Sequence, residues 1–135
     1  VRPLPVKLPN LTCRAGTITA LPFADDSVPM ASSLSVVEHI GLGRYGDELD
    51  PHGSERACRE LQRVVRHGGH ILLSVPIADR PVTLFNAHRL LTREQVRDWL
   101  DKCLVADEYV IQGDAMTVWC AEFVKLNVTS MARSA

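Results

Sequence analysis

From residue 70 the chain reads HILLSVPI, almost without polar interruption. Such a run, stopped by Pro76, predicts a strand over residues 70–77 covered on both faces. A second apolar run of small residues, MASSLSVV, predicts a similar strand over 30–37. Between them the period changes. Ala57, Cys58, Leu61, Val64 and Val65 recur at helical spacing and form one apolar face. The spacing predicts a helix over 54–67, with Ser54 as N-cap and Glu55 in the first turn. Gly68 and Gly69 are expected to end it, Gly68 in the left-handed position. Thr92 and Gln95 fit a capping box, and Val96, Trp99, Leu100 and Cys103 give a helix over 92–102 its apolar stripe. The segments 104–111 and 116–126 read as strands joined through QGDA, an antiparallel hairpin. The β-branched stretch LTCRAGTIT at 11–19 reads as one more short strand. Strands alternating with helices predict an α/β layered sheet, mostly parallel, with the hairpin closing one end.

The remaining stretches are loops. Residues 1–10 hold three prolines and are expected to be extended. Glycine-rich residues follow the 30–37 strand, a second loop spans 78–91, and the polar tail 127–135 is expected to fray. The 135 residues suit one domain, placed at 11–126. A hydrophobic content of 46% is enough for a core, and a net charge of −1 gives no reason to expect nucleic acid or an anionic membrane as partner. No apolar run approaches the ~20 residues of a membrane span, and no basic-then-apolar leader is visible. Cys13, Cys58, Cys103 and Cys120 form no CxxC pair. They read as isolated thiols of a reducing, cytoplasmic protein rather than a zinc site.

The residues that carry chemistry cluster after the predicted strands. Glu38 and His39 follow strand 30–37, and ligands of open α/β sheets sit beyond the carboxyl ends of strands. Histidine titrates nearest neutral pH, so His39 suits proton transfer or substrate orientation. The plainer reading has Glu38 pairing locally and His39 packing under the loop. His88 and Arg89 lie after strand 70–77, on the same side of the sheet. An arginine there suits a carboxylate or phosphate, which it can grip through two parallel bonds; the alternative is a salt bridge to Asp47 or Asp50. Asp50 and His52, with Glu38, His39 and His88, offer oxygen and imidazole ligands, but their spacing matches no metal motif and no metal is assigned. Arg44 and Tyr45 either line an acceptor pocket or are solvated. The stretch GLGRYG at 41–46 imitates a nucleotide-binding fingerprint, yet it precedes loop rather than helix, so no phosphate cradle is assigned. Trp99 and Trp119 read as core.

The stretches TITALPFADDSVPMASSLSVVEHI and ELQRVVRHGGHILLSVP resemble the second half of class I S-adenosylmethionine-dependent methyltransferases. EHIGLGRYGDELDPHG together with FNAHR resembles a narrower group within them, the DUF268 family. The resemblance covers residues 11–126. It implies a partial Rossmann-like sheet, strands 3 to 7 of the family order 3-2-1-4-5-7-6: 11–19 as strand 3, 30–37 as strand 4, 70–77 as strand 5, and the hairpin as strands 6 and 7. It also implies S-adenosylmethionine as cofactor, with Thr17, Ile18 and Ser35 towards the adenine. Thr17 stands where relatives often carry an aspartate, and Val28-Pro29 where they carry Phe-Asp. The glycine-rich turn after strand 1 and the acid ending strand 2 have no counterpart here, so this chain alone is expected to bind the cofactor weakly or not at all. The implied function is methyl transfer to a small or sugar-like acceptor, by a methyltransferase or the C-terminal fragment of one, with Glu38, His39, His88 and Arg89 as catalytic candidates. The alternative is a non-catalytic remnant that self-associates or binds. Because 30–37 is uncharged and lacks its family neighbours, a homodimer through that strand edge is expected; the other outcome is that residues 1–19 fold back over it.

Overall fold

The computed structural model describes residue 6 and residues 8–127. Its main sheet has four strands: β1 (Val28–Leu34), β2 (Val65–Ile77), and two more introduced below as β5 and β6. The chain leaves β1 through a 3-10 turn at Val37–His39, then a loop, then helix α1 (Gly53–Val64). After β2 a small hairpin, β3 (Val82–Thr83) and β4 (Arg89–Leu90), leads to helix α2 (Arg93–Trp99). The chain closes with β5 (Cys103–Gln112) and β6 (Thr117–Lys125).

The sheet order is β1-β2-β6-β5. β1 and β2 run parallel, with Ala31 opposite Ile71 and Ser33 opposite Leu73. β6 lies antiparallel between β2 and β5, as the patterning predicts. The sheet is therefore mixed, its parallel part being the β1–β2 pair. The β1-α1-β2 unit supplies the crossover that two parallel strands need.

Both helices cover one face. Ala57, Cys58, Leu61 and Val64 of α1 and Val96 and Leu100 beside α2 bury against Ile71, Leu73 and Val75 of β2 and Trp119, Ala121 and Phe123 of β6. Trp119 and Phe123 meet edge to face, 5.8 Å apart, a favoured aromatic geometry. Trp119 sends its indole N–H to Glu108, 2.7 Å away, so its one polar atom is satisfied in the core. Trp99 is half-buried against the same core. The opposite face is different. Met30, Leu34, Leu104, Tyr109 and Ile111 point there and are exposed. Among the described residues nothing covers them.

At the amino-terminal end of β1 and β2, a buried ammonium ties three elements together. Lys125, 5% exposed, reaches Asp26 at 2.6 Å and the carbonyls of Gln62 at 2.6 Å and Val65 at 2.8 Å. All three ammonium donors find acceptors, which a buried cation requires. The hydrogen bond from Lys125 holds the Asp26 carboxyl below its ordinary range.

Several boundaries differ from the sequence reading. Residues 11–19 form no strand; they make only local bridges, Leu8 to Leu11 and Thr17 to Ala20. β-propensity alone does not make a strand without a partner. The strand expected at 30–37 starts at Val28 and stops at Leu34, because Ser35 adopts a left-handed backbone (φ 54). α1 ends at Val64, three residues before its expected end, since Val65 turns extended and pairs with Val28. Gly68 is left-handed (φ 71) as expected, but within a bulge at the start of β2 rather than at a helix cap. Gly69 belongs to the same bulge: a Cβ there would stand 2.8 Å from the carbonyls of Arg66 and Pro29. Ser54 does not cap α1. His52 occupies that position, and Ser54 turns its hydroxyl to the carbonyl of Val37 instead. α2 is shorter than predicted, though the Thr92–Gln95 capping box is present. The expected extended segment 1–10 and tail 127–135 fall largely outside the described residues.

All four cysteines are free. Burial pushes the Cys58 thiol up to about 12 and Cys103 to about 11, which keeps them as unreactive thiols. No described helix is long and apolar enough to cross a membrane.

Candidate functional site

The carboxyl ends of β1 and β2 lie side by side, and the residues singled out by sequence gather there. Leaving β1, the chain is turned by Ser35, whose N–H still bonds Ser74 of β2 at 2.9 Å. The 3-10 turn that follows presents Glu38 and His39. Across from it stands the β3–β4 hairpin, held to β2 by bonds between Ala78 and Leu91 and between Leu91 and Pro76. That hairpin carries His88 and Arg89.

Glu38 is 2% exposed. Burial raises its pKa above the ordinary carboxylate range, partly opposed by its own backbone N–H and by His39. One carboxyl oxygen, Oε2, has no hydrogen-bond partner among the described residues. The other, Oε1, lies 3.8 Å from Nε2 of His39. His39 places Nδ1 3.2 Å from the carbonyl of Ala87. A carbonyl only accepts, so the proton sits on Nδ1 and leaves Nε2 as the basic nitrogen, facing Glu38. The His39 ring also meets His88 and Tyr45 edge-on, each 5.8 Å between centroids. His88 has a buried Nε2 with no hydrogen-bond partner among the described residues. Burial, then the proximity of His39 and Arg44, lowers its pKa and keeps it neutral. The three side chains thus form one cluster: a raised carboxyl, an imidazole of fixed tautomer, and a second, neutral imidazole.

Arg89 has another task. Its guanidinium donates to the carbonyl of Ile40, to Oγ of Ser54 at 3.0 Å and to the carbonyl of Asp50 at 2.9 Å. Ser54 passes the contact on to Val37 at 2.7 Å. Arg89 therefore clamps both ends of the loop between β1 and α1, through backbone carbonyls rather than the carboxylates of Asp47 or Asp50. Asp47 instead accepts from the N–H of Gly41 at 2.6 Å, and Asp50 pairs with Arg56 at 2.9 Å. Gly41 permits the tight closure: its φ is 79, and a Cβ there would stand 2.2 Å from the carbonyl of Asp50. Arg44 joins His39 on the carbonyl of Ala87, at 3.0 Å. Tyr45 is exposed beside it. His52 pairs with Glu55 at 3.5 Å. Among the described residues no three His, Cys, Asp or Glu side chains are arranged to hold a metal ion.

The three residues expected at the adenine are less well gathered. Ser35 is exposed at the end of β1. Thr17 lies in a local turn, its hydroxyl 2.9 Å from that of Thr19. Ile18 packs on the core, and Leu21 just beyond is anchored by Glu60 of α1 at 2.7 Å. Sequence reasoning missed the clamp made by Arg89, because its acceptors are backbone atoms that no residue pattern displays.

Residues 22–97 match the model of a family described as "Caenorhabditis protein of unknown function, DUF268". No curated protein matches the sequence. Among solved structures, a Burkholderia thailandensis 1,6-didemethyltoxoflavin-N1-methyltransferase, with 1,6-didemethyltoxoflavin and S-adenosylhomocysteine bound, is 13% identical. It superposes with a TM-score of 0.64 over 84% of this chain and 50% of its own. A putative methyltransferase in complex with the Haloferax volcanii Trm112 activator is 14% identical, with a TM-score of 0.64 over 90% of this chain and 65% of its own. The cyclase SpnF is 14% identical, with a TM-score of 0.63 over 84% and 55%. This chain thus spans about half to two thirds of the length of these proteins. The likeness shows a methyltransferase-like fold.

Proposed function

The chain belongs to the DUF268 family, and from that premise we propose that it is an S-adenosylmethionine-dependent methyltransferase, or the C-terminal part of one, acting on a small or sugar-like acceptor. One observation carries the reading: Glu38, His39 and His88 converge at the carboxyl ends of the parallel strands β1 and β2, where ligands of open α/β sheets bind. The expected cofactor supplies an electrophilic methyl group. What the protein must add is alignment of a nucleophile and somewhere for its proton to go. His39, its tautomer set by Ala87 and its Nε2 facing Glu38, is the proton-handling residue. His88 lines the acceptor side. Arg89 acts through the loop it clamps and is a positioning residue.

The residues present fit the cofactor only in part. Thr17, Ile18 and Ser35 offer hydroxyl and apolar contacts to an adenine, while no described residue stands in for the glycine-rich turn or the ribose-binding acid. We therefore assign this chain weak cofactor binding. Titrating S-adenosylhomocysteine into the 135-residue chain while recording amide chemical shifts tests the assignment. Shifts at Thr17, Ile18 and Ser35 that stay unsaturated at micromolar ligand support it. No shift at any of the three overturns the cofactor reading, and a micromolar dissociation constant overturns the weak-binding reading.

A second reading, a self-associating or binding module, is favoured by the sheet edge. β1 is an edge strand without a charged residue, although Pro29 interrupts its pairing near the start. Unguarded edges tend to pair. The described residues among 1–19 do not pair with β1, so we propose a homodimer through this edge. SpnF carries the same fold under the name of a cyclase, and fold alone does not decide the chemistry. Light scattering across a range of concentrations tests the dimer; a monomer throughout would exclude it.

A further inference from the structure

A recess lies beyond the ends of β2, β5 and β6. It is a cleft of about 640 Å3, within the range of small-molecule sites. The strand registers build its floor. Ile77 pairs with Thr117, and Thr117 pairs with Gln112. An apolar, a hydroxyl and an amide side chain therefore stand in one row across three neighbouring strands. Ala78 and Asp79 continue from β2, and Glu94 projects from α2.

The chemistry of the lining is specific. The side chains of Asp79, Glu94, Gln112 and Thr117 line the cleft and make no hydrogen bond or ion pair within the described residues. Arg93 also lines it, but its guanidinium lies over the Trp119 ring at 5.7 Å and 3.9 Å from Glu108. Glu108 already accepts from Arg97 and Trp119, so the cleft holds one guanidinium beside the carboxylates of Asp79 and Glu94. Two carboxylates against one guanidinium disfavour a phosphate or carboxylate ligand. A simple amine would use the carboxylates and leave the amide and hydroxyl idle. A polyhydroxylated ring uses everything present. Its hydroxyls donate to Asp79 and Glu94 and exchange bonds with Gln112 and Thr117, while its C–H face rests on Ile77 and Ala78.

We propose that this cleft binds the sugar-like portion of the acceptor. The strand end that builds it, at Ile77, is bridged to Leu91 next to the β3–β4 hairpin, so the cleft and the Glu38–His39–His88 cluster share one support. The assignment of the bound sugar as a methyl acceptor rests on the methyltransferase reading; the sugar binding itself does not.

Methyl α-D-glucopyranoside is the probe, titrated into the full chain without any methyl donor while amide shifts are recorded. The expected result is saturable shifts at Ile77, Ala78, Asp79, Gln112 and Thr117. Asp79→Asn and Glu94→Gln should each weaken binding about tenfold, the loss expected for one charge-assisted hydrogen bond. Both variants are isosteric at the surface, and their unliganded spectra report whether they fold. Absence of saturable shifts at these amides overturns the proposal. So do variants that bind as tightly as the parent, or spermidine giving saturable shifts at the cleft where the glycoside gives none. The S-adenosylhomocysteine titration reads Thr17, Ile18 and Ser35 instead. Failure there removes the methyl-transfer reading and leaves the sugar cleft standing or falling on its own data.

Discussion

Replacing Arg89 separates a clamp from a substrate-binding arginine. In Arg89→Ala three acceptors lose a charged donor, but not equally. The carbonyl of Asp50 still accepts from the N–H of Gly53 at 3.1 Å, and Ser54 still donates to Val37 at 2.7 Å. Only the Ile40 carbonyl is left without its partner. One hydrogen bond to a charged group contributes about 1.5–3 kcal/mol. Adding smaller losses at the other two acceptors gives about 2–4 kcal/mol for the variant. Arg89→Lys keeps the charge but not the planar fork that reaches three points at once, and should cost about half as much. Urea unfolding followed by fluorescence of the buried Trp119 measures both. The alanine variant should lower the midpoint by about 1–2 M, and hydrogen exchange should quicken along residues 40–53. An Arg89→Ala protein within ~0.5 kcal/mol of the parent would refute the clamp and return Arg89 to the list of ligand-binding residues. Equal losses for lysine and alanine would refute the geometric part of the argument.

Gly41→Ala forces a Cβ into a left-handed backbone and against the Asp50 carbonyl. It should destabilise the protein by roughly 2–4 kcal/mol, read as a lower thermal midpoint. Glu38→Gln tests the buried carboxyl. A folded-state pKa raised above the ordinary value near 4.5 means that the native state binds the proton more tightly. The parent therefore loses stability as pH rises from that ordinary value through the raised one, whereas the glutamine variant does not. The stability of Glu38→Gln relative to the parent should climb across that window and then level off. Denaturant midpoints over a pH series check this, and a gap independent of pH would contradict the raised carboxyl.

The parts of the fold written in apolar runs were readable in advance: β2, β6, β5 and the buried stripe of α1 all follow from periodicity. Boundaries were not, because they depend on pairing. Val65 has neighbours at helical spacing, yet Val28 recruits it into the sheet. Gly68 and Gly69 look like a helix stop and serve a bulge against Pro29. Thr17, Ile18 and Thr19 have strand propensity and, among the described residues, no strand to join. The site shows the same division. Position at strand ends pointed to Glu38, His39 and His88, and the structure gathers them. What Arg89 grips was hidden, since carbonyls of Ile40 and Asp50 have no residue signature. The cleft beyond β5 and β6 was hidden too, because its row of Ile77, Thr117 and Gln112 exists only once three strands are in register.

The Lys125 ammonium has a consequence for the order of assembly. Its partner Asp26 is 99 residues away in sequence, and contacts of such separation close late and slowly in folding. Until residue 125 is in place, Asp26 and the carbonyls of Gln62 and Val65 lack the cation that joins them. β6 is also the last of the described strands and the one that inserts between β2 and β5. A chain emerging from synthesis can therefore form α1 early, but β2 and β5 are joined only when β6 arrives between them. Asp26 before β1 and Lys125 at the end of β6 are committed together, and the four-stranded sheet is expected to unfold as one cooperative unit.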